Sequence, residues 1–162
     1  MDEALSYEED CIKAIREGML SLEEIDHQTE DMCIEAVRRD GFELEYVKKQ
    51  TEEICLEAVK QNWLVLRFVM NKTEEICLAA IEGGSKAMQY VADQTDEFCL
   101  KAVRLNPYTL EFVKNQTEEI CLAAIEDGNH VIIDSIRDPE LRDRVRRYSS
   151  GRRFLTTKSA KK

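Results

Sequence analysis

Cysteine recurs at positions 11, 33, 55, 77, 99 and 121, each 22 residues from the next. A fixed interval of this length, kept over six copies, marks a repeat array. In such an array each unit is too small to bury its own apolar face and is stabilised by stacking on its neighbours. Aligned on the cysteines, residues 7 to 138 divide into six units, the clearest reading TEEICLEAVKQNWLVLRFVMNK, TEEICLAAIEGGSKAMQYVADQ and TEEICLAAIEDGNHVIIDSIRD.

Within a unit, Thr51 is the N-cap type, and Glu52 and Glu53 follow it on the first turn, where free N–H groups and the helix dipole favour negative charge. Ile54, Cys55, Ala58 and Val59 then recur at helical spacing, which predicts one buried face. The alanine column at 14, 36, 58, 80, 102 and 124 has no exception and marks the closest approach between helices. The column Gly18, Asp40, Asn62, Gly84, Asn106 and Gly128 predicts the helix end, through residues that tolerate a left-handed backbone. A second, shorter helix is predicted from about 64 to 70, carrying Leu66 and Val69 and an aromatic column at 46, 68, 90 and 112. The fold expected is all-α: an α-solenoid of six helical hairpins, preceded by an extension over residues 1 to 6.

The last hairpin carries Ile133 and Ile136 in columns that are mostly polar elsewhere. Asp138 and Pro139 form an N-cap and N1 pair, and Leu141, Val145 and Tyr148 follow at i, i+4 and i+7. A capping helix over 139 to 148 is therefore expected to cover those isoleucines, with a disordered basic tail over 149 to 162.

The cysteines share one column of an apolar face, so they read as small buried hydrophobes. Equivalent positions on helices stacked about 8 to 10 Å apart are too distant for a disulfide. No CxxC or HxxxH seeds a metal site, and neither a metal nor a cofactor is expected. His27 and His130 fall in different units. No apolar run approaches the ~18 residues of a membrane span, and MDEALSYEED is unlike a signal peptide, so an intracellular protein is expected.

The phrases QTEEICLAAI and VKNQTEEICL resemble the 22-residue helical repeats abundant in proteins of large DNA viruses that infect amoebae, catalogued as a domain of unknown function. The resemblance spans residues 7 to 138. It implies a viral origin and a helical repeat, and it carries no enzymatic residues.

Three surface features compete to carry function. Residues 1 to 136 hold 13 Lys and Arg against 30 Asp and Glu, whereas residues 137 to 162 hold 10 against 3. The basic end, with Arg142, Arg144, Arg146, Arg147, Arg152, Arg153, Lys158, Lys161 and Lys162, reads as a nucleic-acid contact or import signal, as a partner for an acidic surface, or as a solubilising tail. The acids form a ladder, Glu52 and Glu53, Glu74 and Glu75, Asp96 and Glu97, Glu118 and Glu119, which either complements helix dipoles or offers an edge to a basic partner. Trp63, Arg67 and Met70 read either as an outward stripe on the short helix, with the composition of an interface hot spot, or with Trp63 folded back into the stack.

The function expected is non-enzymatic: a viral scaffold or adaptor that binds protein partners, basic ones among them. It is expected to form a two-fold dimer through the Trp63 stripe and to use its basic end for nuclear entry or nucleic acid. An accessory nucleic-acid-binding protein acting mainly through that end is the alternative.

Overall fold

The computed structural model describes residues 2 to 126 and 128 to 159, and the side chains of 7 to 126 and 128 to 151. The architecture is an all-α, α-solenoid-like repeat with no strand among the described residues. By its internal contacts the chain forms two compact units, Met1–Tyr90 and Val91–Lys162.

The first unit contains α1 (Asp2–Arg16), α2 (Glu30–Arg39), α3 (Glu52–Gln61) and α4 (Glu74–Gly83). After each comes a short 3-10 helix: Leu22–Glu24, Gly41–Tyr46, Trp63–Phe68 and Ser85–Tyr90. The second unit contains α5 (Asp96–Leu105), the 3-10 helix Pro107–Phe112, α6 (Glu118–Ala124), the 3-10 helix His130–Ser135, and α7 (Pro139–Ser159). Within each unit, helices pack on their chain neighbours, α1 on α2, α2 on α3, α3 on α4, and α5 on α6.

The capping expected from the sequence is present. Thr29, Thr51, Thr73, Thr95 and Thr117 each accept a hydrogen bond from the backbone N–H three residues on, a contribution of about 1 kcal/mol apiece. Behind these caps, Ala36, Ala58, Ala80, Ala102 and Ala124 are buried with the isoleucines and valines beside them.

Three boundaries differ from expectation. The second helix of each hairpin is a 3-10 helix, not an α-helix. Its buried residues explain this: Leu44 and Val47, like Leu66 and Val69, lie three apart, which matches three residues per turn. Secondly, the helix-ending column is left-handed only at Gly18 (φ 75) and Gly128 (φ 83). Asp40 and Asn62 are extended, and their side chains accept from Phe42 N and Leu64 N to cap the 3-10 helix that follows. One residue both ends the first helix and starts the second. Thirdly, α1 begins at Asp2, and α7 continues past Tyr148 to Ser159. Where a disordered tail is expected from 149, the chain is helical as far as 159, since arginine, leucine and lysine sustain a helix and no proline stops it. Residues 160 to 162 lie outside the described ones.

Asp138 caps the start of α7. Asp138 Oδ1 accepts from Glu140 N at 2.8 Å and Leu141 N at 3.2 Å, and α7 packs on the 3-10 helix His130–Ser135. Leu141 and Val145 are buried along with Ile133 and Ile136.

Candidate functional site

The six cysteines are free and buried. Burial pushes the Cys33 and Cys121 thiols up to about 11, and it also raises those of Cys55, Cys77 and Cys99. Such thiols are protonated near neutrality and poor nucleophiles. The Cys33 and Cys55 thiols lie 3.8 and 3.6 Å from Gln28 Oε1 and Gln50 Oε1.

Those glutamines are the staples of the repeat. Gln28 Nε2 donates to Leu22 O and Tyr46 O at 3.0 and 2.8 Å, while its Oε1 accepts from Lys48 N at 2.9 Å. One side chain thus satisfies backbone groups of two successive hairpins. Gln50 repeats the arrangement with Leu44 O, Phe68 O and Met70 N. Gln116 does so with Leu110 O, Ser135 O and Arg137 N. The column reads Gln28, Gln50, Lys72, Gln94 and Gln116. Lys72 is the exception: it donates to Val69 O at 2.7 Å and has no acceptor to offer.

A second ladder joins the caps to the acids. The threonine hydroxyls of 29, 51 and 73 donate to Glu8, Glu30 and Glu52 at 2.6, 2.7 and 2.8 Å. Each of these N-caps therefore serves its own helix and also bonds an acid one repeat back, 21 residues earlier in the chain. Glu52, Glu53, Glu74, Glu75, Asp96, Glu97, Glu118 and Glu119 are all exposed on first turns. Glu52 is occupied by Thr73, Glu97 pairs with Lys101 at 2.9 Å and Glu118 with Arg144 at 3.1 Å.

Trp63, Arg67 and Met70 do not share one face. At three residues per turn, positions 63 and 67 diverge, and the helix ends at Phe68, before Met70. Trp63 is half-buried against Gly83 and Gly84 of the next hairpin. Arg67 lies 4.5 Å above the Phe68 ring and 5.5 Å from that of Phe42, and the two rings meet edge to face at 6.3 Å. Met70 is 78% exposed, in the column where Lys48 donates to Ile25 O and Asp26 O and Lys114 donates to Ala92 O.

At the basic end, four of the arginines have partners within the second unit, the first being Arg137, which donates to Val113 O and Lys114 O. Arg142 Nε donates to Ile136 O at 2.8 Å, Arg144 bonds Glu118, and Arg146 bonds Asp134 at 3.0 Å. Arg147 is exposed. The side chains of Arg152, Arg153, Lys158, Lys161 and Lys162 lie outside the described residues.

His130 Nδ1 is 2.6 Å from the hydroxyl of Ser149, a bond between the last 3-10 helix and α7. His27 lines a groove of about 430 Å³ with Gln28, Thr29, Cys33 and Lys48, and a smaller groove of about 110 Å³ recurs one repeat on, at Gln50, Thr51, Cys55 and Met70. Among the described residues no group of three His, Cys, Asp or Glu is placed to hold a metal. No helix among them is long and apolar enough to cross a membrane.

Sequence reasoning missed two sets of residues. The glutamine column was legible as a column, yet its threefold bonding needed the turn geometry. Glu43 is buried, its carboxylate accepting from Ser21 Oγ at 3.0 Å, Leu22 N at 2.8 Å and Arg39 Nη2 at 3.2 Å. The signal was its column, Val65, Ala87 and Thr109 in the next three repeats, all buried, where an acid is out of place.

Comparison with known proteins bears on part of this structure. No curated protein and no solved structure matches the chain. A family model described as a domain of unknown function, DUF4116, matches residues 29–74, from the cap of α2 to the start of α4.

Proposed function

We propose that the chain is a non-enzymatic scaffold or adaptor whose surface binds protein partners. The observation that carries this reading is the use made of its recurring polar side chains. The cysteines are buried, the glutamines bond backbone across hairpins, and the threonines bond both their own helix and the neighbour's acid. These groups build the repeat, and an array of this kind offers extended surfaces whose specificity lies in the residues left outside. Here those include the second acids of the ladder, Glu53, Glu75 and Glu119, all exposed. The resemblance to repeats of amoeba-infecting viruses makes an infected host cell the setting for the search.

The test is affinity purification from such cells with the wild type and with a variant carrying Glu53→Lys, Glu75→Lys and Glu119→Lys. A partner that binds the wild type directly, as purified protein, and loses affinity for the variant supports the reading. A chain that yields no direct partner overturns it. Self-association as a two-fold dimer belongs to the same reading, with Met70 and Arg67 as its exposed groups in place of the whole expected stripe. Sedimentation over a range of concentrations tests it.

A nucleic-acid role, with nuclear entry, is the second reading. It is favoured by the excess of 10 basic over 3 acidic residues in 137 to 162. Since Arg137, Arg142, Arg144 and Arg146 are engaged within the fold, Arg147 and the residues beyond 151 would carry it. DNA binding that falls steeply with salt and vanishes on truncation at 151 supports this role, because phosphate contacts release counterions.

A further inference from the structure

We propose that the face formed by the 3-10 helices of the first unit binds an arginine-bearing segment of a partner protein, with the Tyr46 ring as stacking platform and Glu23 and Glu45 as counter-charges. This inference rests on the protein-binding reading above and names the partner's chemistry and the place it docks.

The face already holds one cation of its own. Arg67 places its guanidinium over Phe68 and Phe42, at 4.5 and 5.5 Å from the ring centroids, the geometry in which an aromatic quadrupole attracts a cation. One repeat earlier, Tyr46 occupies the Phe68 column, but the Arg67 column holds Glu45 and, before that, Glu23. Tyr46 is therefore an aromatic platform, 39% exposed, whose repeat supplies acids where the next supplies the cation. The 3-10 helices bearing Glu23 and Tyr46 pack together. Glu45 adjoins Tyr46 in the chain, and in keeping with this placement the phenol of Tyr46 is held above its ordinary value first by Glu23, then by desolvation and by Glu45 and Glu43. The Lys48 ammonium is itself engaged, donating to Ile25 O and Asp26 O. An arginine from outside would stack on the ring and bond the carboxylates, as its flat guanidinium suits both contacts. The wider charge agrees, since residues 1 to 136 carry 30 acids against 13 bases and attract a basic chain.

The probe is a synthetic twelve-residue peptide with four arginines separated by glycine and serine, titrated into the full chain at low salt and followed by amide and ring NMR shifts. Saturable shifts centred on residues 22 to 24 and 42 to 46 are expected. Tyr46→Ala, and separately Glu23→Gln with Glu45→Gln, should weaken binding about three- to thirtyfold. Tyr46→Phe, which keeps the ring and guards against a folding artefact, should bind as the wild type does. A lysine peptide of equal charge should bind less tightly. Absence of saturable binding overturns the proposal. So does binding that ignores Tyr46→Ala and shifts the first-turn acids Glu53, Glu75 and Glu119, a result that would leave the scaffold reading standing with its acidic edge as the site.

Discussion

The indole of Trp63 lies on Gly84, so close that a Cβ at residue 84 would sit 2.5 Å from its Nε1 and 2.6 Å from its Cε2. One repeat earlier the sizes are reversed: Gly41 occupies the Trp63 column and faces Gln61 and Asn62, with its N–H donating to Gln61 Oε1 at 2.9 Å. Both of these junctions are filled once, from one side or the other.

Gly84 has an extended φ of −173, which any residue adopts, so Gly84→Ala should act through the indole alone. A loss of about 1 to 3 kcal/mol is expected from overpacking. Trp63→Ala in the same chain should relieve part of it, and chemical denaturation of the two single variants and the double variant measures that coupling.

Gln50→Leu should cost about 2 to 3 kcal/mol, because Leu44 O, Phe68 O and Met70 N lose one shared partner and each hydrogen bond is worth about 1 kcal/mol net. Lys72→Gln should act in the opposite sense. By register its amide reaches Leu66 O and Tyr90 O, and a gain of about 1 kcal/mol in unfolding free energy is expected, read as a higher urea midpoint.

Thr109 is fully buried and its hydroxyl has no hydrogen-bond partner. Val65 occupies the same column and is fully buried, so Thr109→Val should fit and stabilise by about 1 kcal/mol, the cost of the unmet hydroxyl. A melting temperature no higher than that of the wild type would show that the hydroxyl is satisfied in solution.

Folding should weaken at alkaline pH through the thiols. The unfolded chain ionises near the ordinary cysteine value of about 8.5, whereas folded Cys33 and Cys121 ionise at about 11. The folded state holds more protons in that window. The thiol contribution is therefore fully present below the lower value and lost as pH rises through the higher one. Urea midpoints at pH 8 and pH 10.5 should show the fall, and Cys121→Ala should make it shallower. Labelling of all six thiols in the native protein should be slow.

Truncation at 138 should cause aggregation, because Ile133 and Ile136 lose the cover of Leu141 and Val145 and form an apolar patch. Truncation at 151 keeps those contacts, together with the Ser149–His130 bond, and should leave a monodisperse chain; light scattering separates the two.

The 22-residue interval determined most of the fold by itself. A column that repeats must occupy one environment, so the cysteine and alanine columns declared the buried face and the threonine column each helix start. Local chemistry sufficed there, because a cap and an apolar stripe act within a single helix. The tertiary structure decided what depends on two hairpins at once. Whether Asn62 turns left-handed or caps a 3-10 helix, whether Trp63 faces outward or rests on Gly84, and which backbone groups Gln50 bonds all depend on the turn geometry of the hairpin and on what its neighbour leaves open. The candidate surfaces divide the same way. Glu53 and its equivalents were legible as exposed acids on first turns, whereas the Tyr46 face emerged only when Arg67 was seen over Phe68 and Phe42, since a stacking contact between repeats has no signature in the spacing of either one.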